Sequence, residues 1–196
     1  PILHMDLFST TINDSSILNH RADLLSRYIS RDNAEWLNLT YATSTSAVLR
    51  VDTTYSGSEA ANGRQSVRIT SNNTYAHGLF IFDILHTPYG CGTWPALWLT
   101  DPNNWPAHGE IDVVEAANKG TYGNQATLHT SEGCSMGVKR KEYGTVQNKN
   151  CYYEANEYSG CGVKGTESTY GPEFNSNGGG VSHDTIYPPP ALKPPC

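Results

Sequence analysis

Three acidic residues, Glu110, Asp112 and Glu115, fall within the short segment Gly109-Glu110-Ile111-Asp112-Val113-Val114-Glu115. Side chains alternate along a strand, so Glu110 and Asp112 share one face while Ile111 and Val113 share the other. Strict alternation would send Glu115 into the core beside Ile111, at high cost for a carboxylate. A one-residue bulge at Val113-Val114 removes the conflict and returns Glu115 to the acidic face. The two glutamates then stand four strand steps apart, ~13 Å at Cα for a rise of ~3.3 Å per residue. Long side chains can lean inward and close much of that gap. Carboxyl groups about 5–5.5 Å apart serve glycoside cleavage with retention, whereas inverting chemistry needs a wider gap. Three carboxylates on one face repel one another and raise at least one pKa. That division supplies one ionised nucleophile and one protonated acid, and Asp112 is placed to share a proton with Glu110. Taken alone, the cluster also suits a solvated acidic strand or a calcium site.

The neighbours are aromatic: Trp94, Trp98 and Trp105 precede the acidic strand within a short span. Indole faces stack on the apolar faces of pyranose rings, so tryptophans beside carboxylates suit a polysaccharide. For each tryptophan alone, core packing is the default reading. Trp105 lies in the loop Asp101-Pro102-Asn103-Asn104-Trp105-Pro106 and is the better candidate for a sugar platform.

The elements that must position these groups read as strands. Candidates are Ala47–Val51, Ser66–Thr70, Trp94–Leu99, Ile111–Val114 and Gln125–His129. Leu79–Leu85 is apolar at nearly every position, as expected of a strand covered on both faces. Strands of this length without intervening helical patterns predict an all-β sandwich. Residues 1–31 are ambiguous, with Ala22–Arg27 compatible with a helical turn or a loop. Beyond Gly133 the chain is polar and rich in Gly and Asn, with few strand signals. The stretch His183–Cys196 contains five prolines, which predicts an extended or disordered tail and no sheet strand.

The 196 residues suit one domain with a sizeable core. Acidic residues outnumber basic ones, 19 to 13, for a net charge of −6. No basic run could follow a phosphate backbone, which excludes nucleic acid as a partner. The cluster Lys139-Arg140-Lys141 reads as a solvated loop. No segment reaches the ~18 apolar residues of a membrane span, and no signal peptide is visible in a chain that starts at Pro1. The five cysteines, Cys91, Cys134, Cys151, Cys161 and Cys196, show no zinc spacing. With sequons at Asn13, Asn38 and Asn72 they predict a secreted, glycosylated protein with one or two disulfides and one thiol left over.

Gly90-Cys91-Gly92-Thr93-Trp94-Pro95-Ala96-Leu97-Trp98, then Trp105-Pro106 and Gly109–Glu115, resembles fungal laminarinase-type members of glycoside hydrolase family 16. Asn38–Ala42, Gly63–Ile69, Thr127–Thr130 and Tyr170–Asn175 carry the same resemblance, which runs from about Asn38 to Gly180. It implies an antiparallel β-jelly-roll sandwich (concanavalin A-like) and retaining endo-hydrolysis of β-1,3- or mixed β-1,3/1,4-glucan, without a cofactor or metal. By motif position Glu110 resembles the nucleophile, Asp112 its supporting carboxylate and Glu115 the acid/base. Arg68, Trp98 and Trp105 fall where the family contacts glucose units, and His129 lies near the site. His129 alone fits a hydrogen-bonded strand histidine equally well.

The expected organisation is a weakly matching segment 1–37, a catalytic domain 38–180 and an atypical proline-rich tail 181–196. Asp6-Leu7-Phe8 and Tyr28–Asp32 read as remnants of the family's opening. The family continues past Gly180 with further strands, so the jelly roll reads as incomplete, its C-terminus truncated. The resemblance further implies a monomer acting on β-glucan outside the cell or in the cell wall. The alternatives are an inactive glucan-binding homologue and a transglycosylase.

Overall fold

A computed structural model describes residues 2–9 as backbone, and residues 27–54, 63–137, 139 and 141–187 in full. The strands are β1 (Ile2–Ser9), β2 (Arg27–Tyr28), β3 (Thr40–Ala42), β4 (Ala47–Leu49), β5 (Gln65–Thr74), β6 (Gly78–Ile84), β7 (Thr93–Thr100), β8 (Glu110–Glu115), β9 (Gln125–His129), β10 (Thr145–Val146), β11 (Cys161–Lys164) and β12 (Gly180–Ile186). Among the described residues two short α-helices accompany them, α1 (Arg31–Trp36) and α2 (Gly171–Ser176).

One sheet holds eight strands in the order β10-β11-β9-β8-β7-β1-β5-β2. Every pairing in it is antiparallel except β2 with β5. A second layer is the antiparallel pair β6–β12. Period-two alternation decides which face is which. In β7, Leu97 and Leu99 are buried, while Trp94 and Trp98 on the alternate positions are half-exposed. The buried set joins Val113, Val114 and Tyr170 in the main core, and Phe80, Phe82, Ile84 and Ile186 of the second layer pack onto it. This is the layered all-β sandwich expected from the strand pattern. The opposite face of β7, β8 and β9 is left free to carry polar chemistry.

A smaller core of Ala34, Leu39 and Val67 seats α1 against β5. Ser30 caps α1, its Oγ accepting the Asn33 N–H at 3.4 Å. Tyr170 is wholly buried and its hydroxyl donates to the Pro88 carbonyl at 2.6 Å. Asn175 of α2 clamps the chain between β6 and β7: its amide accepts the Thr87 N–H at 2.8 Å and donates to the Thr87 carbonyl at 2.9 Å. Cys151 and Cys161 form a disulfide, and Cys91 is free and exposed.

Three expectations need correction. Residues 180–186 form β12, so the start of the expected tail is a strand. All five prolines lie at 188 and beyond, and Gly180–Ile186 alternates half-buried and exposed positions as a strand should. The segment Leu79–Leu85 is not covered on both faces: Leu79, Ile81 and Leu85 are each about 60% exposed, because only the Phe80-Phe82-Ile84 side meets the core. Strand structure also continues past Gly133, in β10, β11 and β12. Asp6-Leu7-Phe8 belongs to β1, which pairs with both β5 and β7. Ala22–Ser26, the sequon at Asn13 and the prolines from 188 onward lie outside the described residues.

Candidate active site

β8 contains the expected bulge. Its register against β7 runs Thr100↔Glu110, Leu99↔Ile111 and Trp98↔Asp112, then Leu97↔Val114 and Ala96↔Glu115. Val113 is the extra residue, and both valines are buried in the core. Glu115 therefore returns to the face of Glu110 and Asp112, four β7 residues from Glu110, or ~13 Å along the strand.

Beyond the bulge, β8 loses its pairing with β9, which ends at Asp112↔Thr127. The side chain of Asn124 takes over. Its Oδ1 accepts the Glu115 N–H at 2.8 Å and its Nδ2 donates to the Val113 carbonyl at 2.9 Å. One amide thus satisfies the two backbone groups that the bulge leaves open, and it fixes the backbone that carries Glu115.

Glu110 and Asp112 are hydrogen-bonded to each other, Glu110 partly buried and Asp112 deeply so. Burial is the largest influence on both and raises both pKa values; for Glu110 the charge of Asp112 adds to it. His129 lies opposite Glu110 in the β8–β9 register, and its Nε2 is 3.3 Å from Asp112 Oδ2. That approach is not aligned as a hydrogen bond, so Asp112 Oδ2 is buried without a hydrogen-bond partner. A buried oxygen with no donor is costly as an anion, which favours a shared proton on the pair. Glu110, Asp112 and His129 also offer ligand atoms within 4.8 Å of one another, close enough to hold one cation. A cation would have to displace that shared proton from two carboxyls whose burial favours keeping it.

Around this centre stand the tryptophans. Trp105 is 39% exposed on its loop and hydrogen-bonds to the Glu110 carboxyl, favouring its ionised form. Asp101 folds the loop, accepting hydrogen bonds from Asn104 Nδ2 and His108 Nδ1, both at 2.8 Å, and from the Asn103 N–H at 3.1 Å. These bonds hold the Asp101 carboxyl below its ordinary range. Gly109 closes the loop at φ 77°, a left-handed value that a side chain would disfavour. Arg68 on β5 lies over Trp98, 5.4 Å from the ring centre, and over Tyr28 at 4.7 Å. Its Nη2 donates to the Tyr28 hydroxyl at 3.1 Å.

All seven expected site residues, Arg68, Trp98, Trp105, Glu110, Asp112, Glu115 and His129, therefore fall on or beside one face of the eight-stranded sheet. Trp94, expected as one of the aromatic neighbours without an assigned role, and Asn124, which the sequence reading did not single out, also belong there. Trp94 Nε1 donates to Glu115 Oε1 at 2.6 Å; its signal was period-two alternation with Trp98, which puts both rings on the acidic side. Asn124 had no signal, since nothing in the sequence marks which loop amide will bridge a bulge.

An all-β sandwich with a bulged carboxylate strand flanked by tryptophans has the form of a glycoside-cleaving domain. The model of the XgeA-like catalytic GH16 domain matches residues 25–185, and the chain belongs to glycoside hydrolase family 16. It is 46% identical over 159 residues to probable glycosidase C21B10.07 of Schizosaccharomyces pombe, covering 79% of this chain and 37% of that protein. It is 39% identical over 180 residues to the endo-1,3(4)-beta-glucanase xgeA of Emericella nidulans, covering 84% and 28% respectively. Among solved structures, laminarinase 16A of Phanerochaete chrysosporium, holding beta-glucans in donor and acceptor sites, superposes with a TM-score of 0.76. That match is 35% identical and covers 95% of this chain and 64% of the other. The chain thus spans between a quarter and two-fifths of the length of these two curated relatives.

Proposed function

We propose that the chain cleaves β-1,3- or mixed β-1,3/1,4-glucan internally, with retention at the anomeric carbon. The observation that carries this reading is the β8 bulge, which sets Glu110 and Glu115 on one face beside Trp94, Trp98 and Trp105. The hydrogen bond with Glu110 favours the ionised form of Asp112, so the shared proton rests on Glu110 and passes to Asp112 to leave Glu110 ionised as nucleophile. The Trp105 hydrogen bond supports that charge. Glu110 attacks the anomeric carbon, the glycosidic C–O bond breaks, and Glu115 gives its proton to the departing oxygen. In the second step Glu115 takes a proton from water, whose oxygen displaces Glu110 from the same carbon. Arg68, Trp98 and Trp105 bind flanking glucose units, and His129 steadies the Asp112 side. Every step uses groups of this chain.

The same reading places the protein outside the cell or in the cell wall, acting as a monomer. The Cys151–Cys161 disulfide supports an oxidising compartment. Among the described residues no helix is long and apolar enough to cross a membrane.

Release of reducing ends from laminarin tests the proposal. Glu110→Gln and Glu115→Gln are each expected to lower the rate by about 10²–10⁴-fold, and the first-formed product is expected as the β-anomer by NMR. Products longer than the substrate would report transfer to sugar in place of water. Laminarin binding by the wild-type chain with no product release would leave a glucan-binding protein and overturn the hydrolytic reading.

A further inference from the structure

We propose that the disulfide-clasped loop Cys151–Cys161 forms a second glucan-binding wall of the cleft, with Tyr153 and Tyr158 as platforms for glucosyl units beyond those held at the carboxylates. The inference rests on the reading of Glu110 and Glu115 as a glucan-cleaving pair. The loop is fastened to the site at both ends. At one end the Thr130 N–H donates to the Cys151 carbonyl at 2.9 Å, and the Tyr153 N–H donates to the Thr130 carbonyl at 3.0 Å, one residue past His129. At the other, Gly160 has φ 60° and lies so close to His129 that a Cβ would stand 2.8 Å from its Nδ1. The loop therefore borders the ring that faces Asp112.

Its aromatic side chains continue the row begun by Trp105. The Tyr153 ring meets Trp105 at 4.8 Å between centres with an interplanar angle of 66°, and Tyr158 lies 6.3 Å further along. Tyr152 meets Tyr153 edge-on at 5.4 Å. Glu154 accepts hydrogen bonds from the hydroxyls of both Tyr152 and Tyr153, which holds the two rings in place. Trp105 and Tyr158 are each 39% exposed, so the row is open to solvent beside the centre. Asn156, Glu157 and Tyr158 take three successive left-handed φ values, 52°, 55° and 66°. Residues other than glycine adopt such backbone at a cost, and that cost clusters at functional segments. Here it sets the position of Tyr158. Open, pre-positioned rings match the apolar faces of a neutral sugar chain, the class of ligand that the proposed function implies.

Kinetics on polymeric laminarin and on laminaritriose test this wall, using Tyr153→Ala, Tyr158→Ala and the conservative Tyr158→Phe. Tyr158→Ala is expected to raise KM for the polymer about tenfold, with kcat within about twofold and little change on the trisaccharide. Tyr153→Ala should weaken polymer use at least as much, and Tyr158→Phe should behave as wild type. If Tyr158→Ala melts lower, Tyr158→Leu keeps the bulk and removes only the aromatic face. Unchanged polymer KM in Tyr153→Ala and Tyr158→Ala, in a chain whose wild type cleaves laminarin, overturns the wall and leaves the catalytic reading intact. If the wild type cleaves nothing, the catalytic reading fails by itself. Retardation of the Glu110→Gln form in laminarin gels then decides the wall: it stands if Tyr158→Ala abolishes the retardation and falls if it does not.

Discussion

Glu115 receives its hydrogen bond from Trp94 Nε1 at 2.6 Å, so the side chain proposed as acid and base is oriented by an indole from the neighbouring strand. Hydrogen bonds to a charged partner contribute about 1.5–3 kcal/mol, and this one is partly shielded from water. Trp94→Phe keeps the ring and removes the donor. It is expected to lower kcat on laminarin tenfold or more while the fold persists, as read by steady-state kinetics beside a melting curve. Unchanged kcat would mean that Glu115 is oriented by other contacts. At this scale the chemistry was readable because acidic and aromatic types cluster at strand spacing. The pairing of Trp105 with Glu110, and of Trp94 with Glu115, was not. Which indole meets which carboxyl depends on loop path and strand register, and neither is encoded within the short motif.

The bulge in β8 is a feature of the element, and it could be argued from sequence because the alternative buries Glu115 in hydrocarbon. Its brace carries no local signal. Asn124 lies nine residues on, in a loop, and only the folded register brings its amide across Val113 and Glu115. Asn124→Ala removes two hydrogen bonds and leaves backbone groups of a part-buried strand without these partners. It is expected to cost about 1–3 kcal/mol in urea unfolding and to reduce activity with it, because the backbone of Glu115 is no longer held. Gly123, one residue earlier, has φ 81° and no room for a side chain: a Cβ would lie 2.2 Å from the Thr166 carbonyl oxygen. Gly123→Ala should therefore destabilise by a similar or larger amount in the same assay. The strands that escaped the sequence reading share a physical cause. β11 is four residues long with a glycine inside, and it gains its place from pairing with β9 and from the Cys151–Cys161 link. β12 alternates only moderately apolar residues, and its strand state comes from the partner β6.

For the molecule as a whole, the buried acid pair opposes the usual trend of carboxylate-stabilised proteins. A carboxylate held below its ordinary range, as Asp101 is, adds stability as pH rises through the acid range, and that gain is complete by about pH 5. Glu110 and Asp112 act with the opposite sign. Their folded pKa values lie above the unfolded ones of about 4, with Glu110 pushed up to about 8. Between those limits the folded chain binds more protons than the unfolded chain, so stability must fall as pH rises. The contribution is fully present below about pH 4 and is lost as pH passes through the raised values. Above pH 5 the Asp101 effect is constant, and the slope belongs to the pair together with any histidine that titrates there. Asp112→Asn isolates the Asp112 share, because an amide cannot take up a proton, and it leaves Glu110, His129 and the other histidines in place. The melting temperature of the wild type is therefore expected to decline between pH 5 and 8, and that of Asp112→Asn to decline less steeply. Equal slopes in the two proteins would show that Asp112 holds no part of the proton, which burial would then keep on Glu110 alone. The assignment of Glu110 as an ionised nucleophile supported by a protonated neighbour would then fail with it.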